Sequence, residues 1–119
     1  MARHNDIGKK GEDLAAGWLK GKGFTILDRN WRSVRCEVDI IAIRQGIYHF
    51  IEVKSGTSLL YGHPEERVSR KKIGNLMRAA LAWRLRFAEP GKRVQYDVLS
   101  VSMLRDKEPE YFFIEDVYV

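Results

Sequence analysis

The segment from Cys36 to Gly56, CEVDIIAIRQGIYHFIEVKSG, narrows the choice of fold more than any other part of the chain. It holds two apolar runs, VDIIAI (38–43) and IYHFIEVKS (47–55), separated only by Arg-Gln-Gly. Runs of this length, rich in β-branched and aromatic residues and joined through a glycine turn, specify an antiparallel hairpin. Yet Glu37, Asp39, Glu52 and Lys54 punctuate strands that are otherwise too apolar to stand freely in water. Charges taken out of water need partners, so this hairpin marks either an ion-paired sheet face or a site.

The elements around it follow from periodicity. Residues 8–22 carry Leu14, Ala15, Ala16, Trp18 and Leu19 on one broad face, which predicts a helix stopped by the Gly-Lys-Gly at 21–23. FTILDRNW (24–31) reads as a strand ahead of the hairpin, and GTSLLYGHPEE (56–66) as a loop. A long helix is expected from about Val68 to Phe87, with Ile73, Leu76, Met77, Ala80, Leu81 and Trp83 on its buried side and Glu-Pro-Gly-Lys (89–92) ending it. Two more strands are expected at 94–103 and 111–119. The order α-β-β-β-α-β-β implies an α/β fold, because a helix crossing between strands makes at least one parallel pair. A mixed β-sheet flanked by helices results. At 119 residues and 45% hydrophobic content, the chain suits one domain over 1–119 with a single core.

Composition removes several classes. No run approaches the ~20 apolar residues of a membrane span, and the charged start lacks a secretory core. One cysteine, Cys36, excludes an intramolecular disulfide framework, so a cytoplasmic setting is the expectation. The net charge is +5, but residues 63–95 alone are +6, with nine basic against three acidic side chains, and the rest is −1. Such a one-sided basic segment either takes a polyanion or solvates the outer face of a helix.

Strand alternation places Glu52 and Lys54 on one face, and Glu37 and Asp39 together likewise. A hairpin turning at Arg44–Gly46 brings Asp39 towards Glu52. Two adjacent carboxylates repel, and a divalent cation between them removes the conflict. Hard oxygen ligands without a His/Cys set favour magnesium or manganese over zinc. Lys54 would then reach over the same site, where it could orient water or neutralise charge on a phosphate transition state. Glu12, three and four residues before Ala15 and Ala16, lies on the inward stripe of the first helix and could aim at the same ion. Helix-dipole complementarity in a first turn is the plainer alternative.

Asp39, Glu52-Val53-Lys54 and a helical Glu12 together resemble the PD-(D/E)xK nuclease superfamily, whose α-β-β-β-α-β order matches the order read above. GKKGEDLAAGWLKGKGFTILDRNWR, EVDIIA, IEVKSG, YGHPEERVSRKK and YDVLSV more closely resemble the YraN-like family of small bacterial proteins, regarded as endonucleases distantly similar to archaeal Holliday junction resolvases. The resemblance runs from about Gly8 to Val101. It implies a restriction-endonuclease-like core and one nuclease-like domain. Asp39 and Glu52 would be metal ligands, Lys54 the catalytic lysine, Glu12 a helix-borne acid that also serves the metal, and Glu37 a supporting group. The implied activity is magnesium-dependent hydrolysis of phosphodiester bonds in DNA, including branched DNA such as Holliday junctions, leaving a 5′-phosphate.

Arg70, Lys71 and Lys72 would face the nucleic-acid backbone, positioning it without reading sequence. His63 could approach a phosphate from the loop, and Tyr61 beside it could stack on a base. Resolving a two-fold symmetric junction would call for a homodimer. Val38 stands where the superfamily name has proline, Cys36 replaces a glycine, and Gly56 stands where a basic residue is common. The competing class is a nuclease-like fold that binds nucleic acid or a protein partner without cutting. His49 reads as a satisfied strand histidine, Asp97 as a structural anchor, and Trp18, Trp31 and Trp83 as packing residues.

Overall fold

The computed structural model describes residues 2–57 and 70–117, with side chains from Asp6 onward in the first helix. The elements are α1 (Ala2–Gly21), β1 (Thr25–Ser33), β2 (Cys36–Arg44), β3 (Ile47–Gly56), α2 (Arg70–Phe87), β4 (Val94–Ser102) and β5 (Glu110–Ile114). One sheet carries all five strands in the order β1-β2-β3-β4-β5. Only β3 and β4 run parallel, joined through α2; the other neighbours are antiparallel. The expected α/β order and mixed sheet are both present.

Local chemistry explains the element ends. Gly23 has φ +92°, and Phe24 N–H donates to Leu19 O at 3.0 Å while Gly23 N–H donates to Lys20 O at 3.1 Å. This is the left-handed stop that the glycines foretell, and Phe24 then packs in the same cluster as Leu19. In the β2–β3 turn, Gln45 and Gly46 both have positive φ (53° and 76°), the geometry of a tight two-residue hairpin. α1 begins earlier than expected, at Ala2, and β5 ends sooner, at Ile114. Glu12 is therefore mid-helix, and the helix-dipole explanation for it falls away.

The sheet is covered on both faces. α1 packs Ala15, Ala16 and Leu19 against Ile40, Ala42, Ile51, Leu99 and Val101. On the other face, α2 packs Leu76, Ala79, Ala80 and Trp83 against Val38, Ile41, Tyr48, Phe50 and Tyr96. Each fully buried large apolar side chain contributes roughly 1.5–3 kcal/mol, so these two layers set the architecture. Two tryptophans tie α2 to β1: Trp31 Nε1 donates to Ala79 O at 3.2 Å, and Trp83 Nε1 to Asp28 Oδ2 at 3.4 Å. Leu81 corrects the expected buried side of α2. It is 49% exposed, because the helix turns Lys71, Gly74, Arg78, Leu81 and Leu85 directly away from the sheet.

Candidate functional site

The β2–β3 ladder pairs Arg44 with Ile47 and runs to Ile40 with Ile51, where it stops. The next pair would be Asp39 and Glu52. Instead, Val53 N–H donates to Asp39 Oδ2 at 2.8 Å, so a side chain stands in for a backbone rung as the strands diverge. β2 also changes phase here: Val38 packs towards α2, whereas Ile40, two residues on, packs towards α1. On β3, Ile51 and Val53 face α1, so Glu52 and Lys54 face α2. Lys54 Nζ lies 3.0 Å from Glu52 Oε2, and Lys72 Nζ, from the first turn of α2, lies 3.5 Å from the same oxygen.

Glu52 and Lys72, but not Lys54, open on a cavity of about 210 Å³ lined also by Arg35, Glu37, Asp39 and Asn75, with Cys36 and Leu76 beside them. Asp39, Glu52 and Glu37 thus line one cavity. Glu12 does not line the cavity, but it stands within electrostatic reach of Asp39. Arg70 and Lys71 are exposed on α2 and lie outside the cavity, while Lys72 enters it. Tyr61 and His63 fall outside the described residues.

The electrostatics are those of a site crowded with negative charge. Burial, and then the charges of Glu12, Glu52 and Glu37, push the Asp39 carboxyl up to about 7 against the opposing pull of the Val53 N–H. Burial also raises Glu12, opposed by a hydrogen bond from Asn30 and by the Arg29 guanidinium, which lies 3.8 Å away. Burial lowers Lys54, helped by Lys72 and opposed by Glu52. Lys72 is raised, first by its hydrogen bond with Lys54 and then by the Glu52 charge, against its own partial burial.

The donor chemistry fits a magnesium-like ion. Asp39 and Glu52 offer hard oxygens, and the carboxyl held at about 7 is one that a cation would relieve. Among the described residues, no group of three or more His, Cys, Asp or Glu is close enough to hold an ion by itself. Two carboxylates completed by water and phosphate oxygen are a common arrangement for magnesium, whereas structural zinc requires four protein ligands.

Two contributors, Asn30 and Arg29, escaped the sequence reading, and a third, Lys72, was expected at the nucleic-acid backbone rather than beside Glu52. Asn30 holds Glu12 from a left-handed backbone (φ 54°) inside β1, and asparagine in mid-strand was the available signal. Arg29 reaches both Glu12 and Asp13. Lys72 stands four residues before the buried Leu76 and seven before Ala79, spacing that places it on the inward stripe. Away from the cavity, His49 and Asp97 prove to be partners: His49 Nδ1 donates to Asp97 Oδ2 at 2.6 Å, with both side chains buried.

Sequence comparisons agree over most of the chain. The profile of the uncharacterised protein family UPF0102 matches residues 11–101. A UPF0102 protein of Clavibacter michiganensis subsp. michiganensis is 39% identical over 92% of each chain. One from Flavobacterium johnsoniae is 40% identical over 97% of this chain and 93% of its own. One from Rhodococcus opacus is 36% identical over 99% of this chain and its full length. A sheet with its hairpin acids intact, a matching profile and full-length relatives lead to one assignment: the chain belongs to family UPF0102, the YraN-like family that its motifs resemble.

Proposed function

We propose that this protein is a metal-dependent endonuclease of the PD-(D/E)xK superfamily that hydrolyses phosphodiester bonds in DNA, with branched DNA as the preferred substrate class. The observation that carries this reading is the convergence of Asp39 and Glu52 on one cavity, with Lys54 Nζ 3.0 Å from Glu52. Asp39 and Glu52 would hold Mg2+ or Mn2+, which supplies charge stabilisation at the phosphate and a more acidic water. Asp39 keeps its aim because one oxygen is fixed by Val53 N–H. Lys54, rigid on β3, would orient water and balance the charge that builds on the non-bridging phosphate oxygens. Glu12, held by Asn30 and Arg29, adds negative charge that favours cation uptake at Asp39. Water adds to phosphorus as the bond to the 3′ oxygen breaks, leaving a 5′-phosphate and a 3′-hydroxyl.

A second reading, a nucleic-acid-binding module without cleavage, is favoured by one observation: two lysines already satisfy Glu52. A cleavage panel separates the two. Labelled four-way junction, flap, duplex and single strand are incubated with Mg2+ or Mn2+ and the wild type or an Asp39→Ala/Glu52→Ala variant. Metal-dependent cutting of the branched substrates that the variant lacks is the expected result. Binding without cutting in either metal would favour the second reading. Among the described residues, no helix is long and apolar enough to cross a membrane.

A further inference from the structure

We infer that Lys72 and Asn75, one turn apart on α2, form the phosphate grip of the site, and that Lys72 leaves Glu52 for the substrate phosphate when the ion takes the carboxylate. The inference rests on the metal-dependent reading above and adds residues from a second element to it.

Three consecutive cations open α2, and the structure separates them. All three are exposed, but of the three only Lys72 lines the cavity, with its Nζ 3.5 Å from Glu52 Oε2. Lys54 grips the same oxygen at 3.0 Å. An ion held by Glu52 would compete with both ammonium groups for that carboxylate. Lys54, with a side chain only 22% exposed, is confined above β3; the Lys72 side chain, 50% exposed, is long enough to swing towards an incoming group.

Asn75 lies three residues on, in the same cavity, on the same stripe of the helix. Arg78 donates to Asn75 Oδ1 at 2.6 Å, so the acceptor end of the amide is occupied and, among the described residues, the NH2 end remains to donate. An ammonium and an amide donor on one helical stripe suit the two non-bridging oxygens of a phosphodiester. α2 would thereby hold the substrate at the reacting phosphate, while Arg70 and Lys71 can reach only flanking backbone.

The test uses full-length protein with Lys72→Met, Lys71→Met, Asn75→Ala and Asp39→Ala. Mn2+ uptake without nucleic acid is followed by electron paramagnetic resonance. Binding of a fluorescent four-way junction is followed in Ca2+, with cleavage scored separately. Lys72→Met should tighten Mn2+ about fivefold, the upper end for losing a half-exposed ion-pair competitor, yet weaken junction binding. Asn75→Ala should weaken junction binding and leave Mn2+ unchanged. Lys71→Met should leave Mn2+ unchanged and act on the junction only through a shallower salt dependence. Lys72→Arg, which retains the charge, should keep junction binding near wild type.

If Lys72→Met matches Lys71→Met in both assays, while Asp39→Ala still abolishes Mn2+ uptake, the inference is overturned and the nuclease reading stands. If the wild type takes up no Mn2+ and Asp39→Ala is indistinguishable from it, both are overturned.

Discussion

Asp39 and Asp97 are both drawn into the sheet, and their surroundings are opposites. Asp97 is fully buried and surrounded by donors: His49 Nδ1 at 2.6 Å, Gln95 Nε2 at 3.0 Å and Asp116 N–H at 2.9 Å. Asp39 is partly buried, accepts one hydrogen bond among the described residues, from Val53 N–H, and feels the charges of Glu12, Glu52 and Glu37. The first carboxylate is complete within the protein. The second stands among other carboxylates whose charges push it up. The same residue type thus serves as an anchor in one place and as a candidate ligand in another, and the difference lies in the neighbours.

The widest test of that difference is pH. The folded Asp39 carboxyl titrates near 7, against the 3.8 of a free aspartate. Between those values the unfolded chain has released its proton while the folded chain retains it, so the unfolded state binds fewer protons and stability falls as pH rises. The contribution is full below about 4 and gone above about 7 in metal-free protein, a change on the order of 4 kcal/mol. Urea unfolding in EDTA across this range should show the fall, and Asp39→Asn should flatten it. A wild-type curve no steeper than the variant's would erase the contrast.

The same isosteric change at each aspartate comes next. Asp97→Asn sets an amide NH2 against a buried donor and should cost about 3 kcal/mol in urea unfolding. Asp39→Asn can still accept from Val53 N–H and removes charge from a crowded cluster. At pH 7.5 in EDTA it should unfold within about 1 kcal/mol of wild type or above it, while losing Mn2+ uptake. Equal losses at the two sites would break the comparison.

Gly11 sharpens it further. A methyl group there would overlap the Ser55 side chain, so α1 must lie close over β3 one residue before Glu12. Gly11→Ala should cost about 1–3 kcal/mol, measured by thermal unfolding, and adding Ser55→Gly should recover part of it. By moving Glu12 away, Gly11→Ala should also lower the Asp39 titration point in carboxyl-carbon NMR. The smallest effect belongs to Glu12→Gln, which removes a charge that acts on Asp39 less than its burial does. It should shift the same titration downward and leave the His49 ring resonances unmoved.

Much of this was legible before the fold was known, for reasons particular to each residue. The hairpin announced itself through apolar runs around Gln45-Gly46, and alternation alone put Glu52 and Lys54 on one face. The rest depended on non-local geometry. His49 and Asp97 are 48 positions apart and meet only because β3 and β4 run side by side. The Asp39–Val53 bond arises where the strands part, which no periodicity encodes. Leu81 looked like core from its apolar character, yet the helix face was decided by which neighbours Trp83 and Ala80 found.

The parallel pairing of β3 with β4 bears on the order in which this protein can assemble. Asp39 and Glu52 lie on one tight hairpin, whose closure involves few residues and proceeds in microseconds. Lys72 arrives only when α2 docks, and α2 is fixed only after β4 has travelled back to lie beside β3. A nascent chain would therefore hold Glu52 against Lys54 before Lys72 joins them. The slow closure of the crossover would act as a checkpoint, after which the hairpin carboxylates first meet the charge that α2 carries.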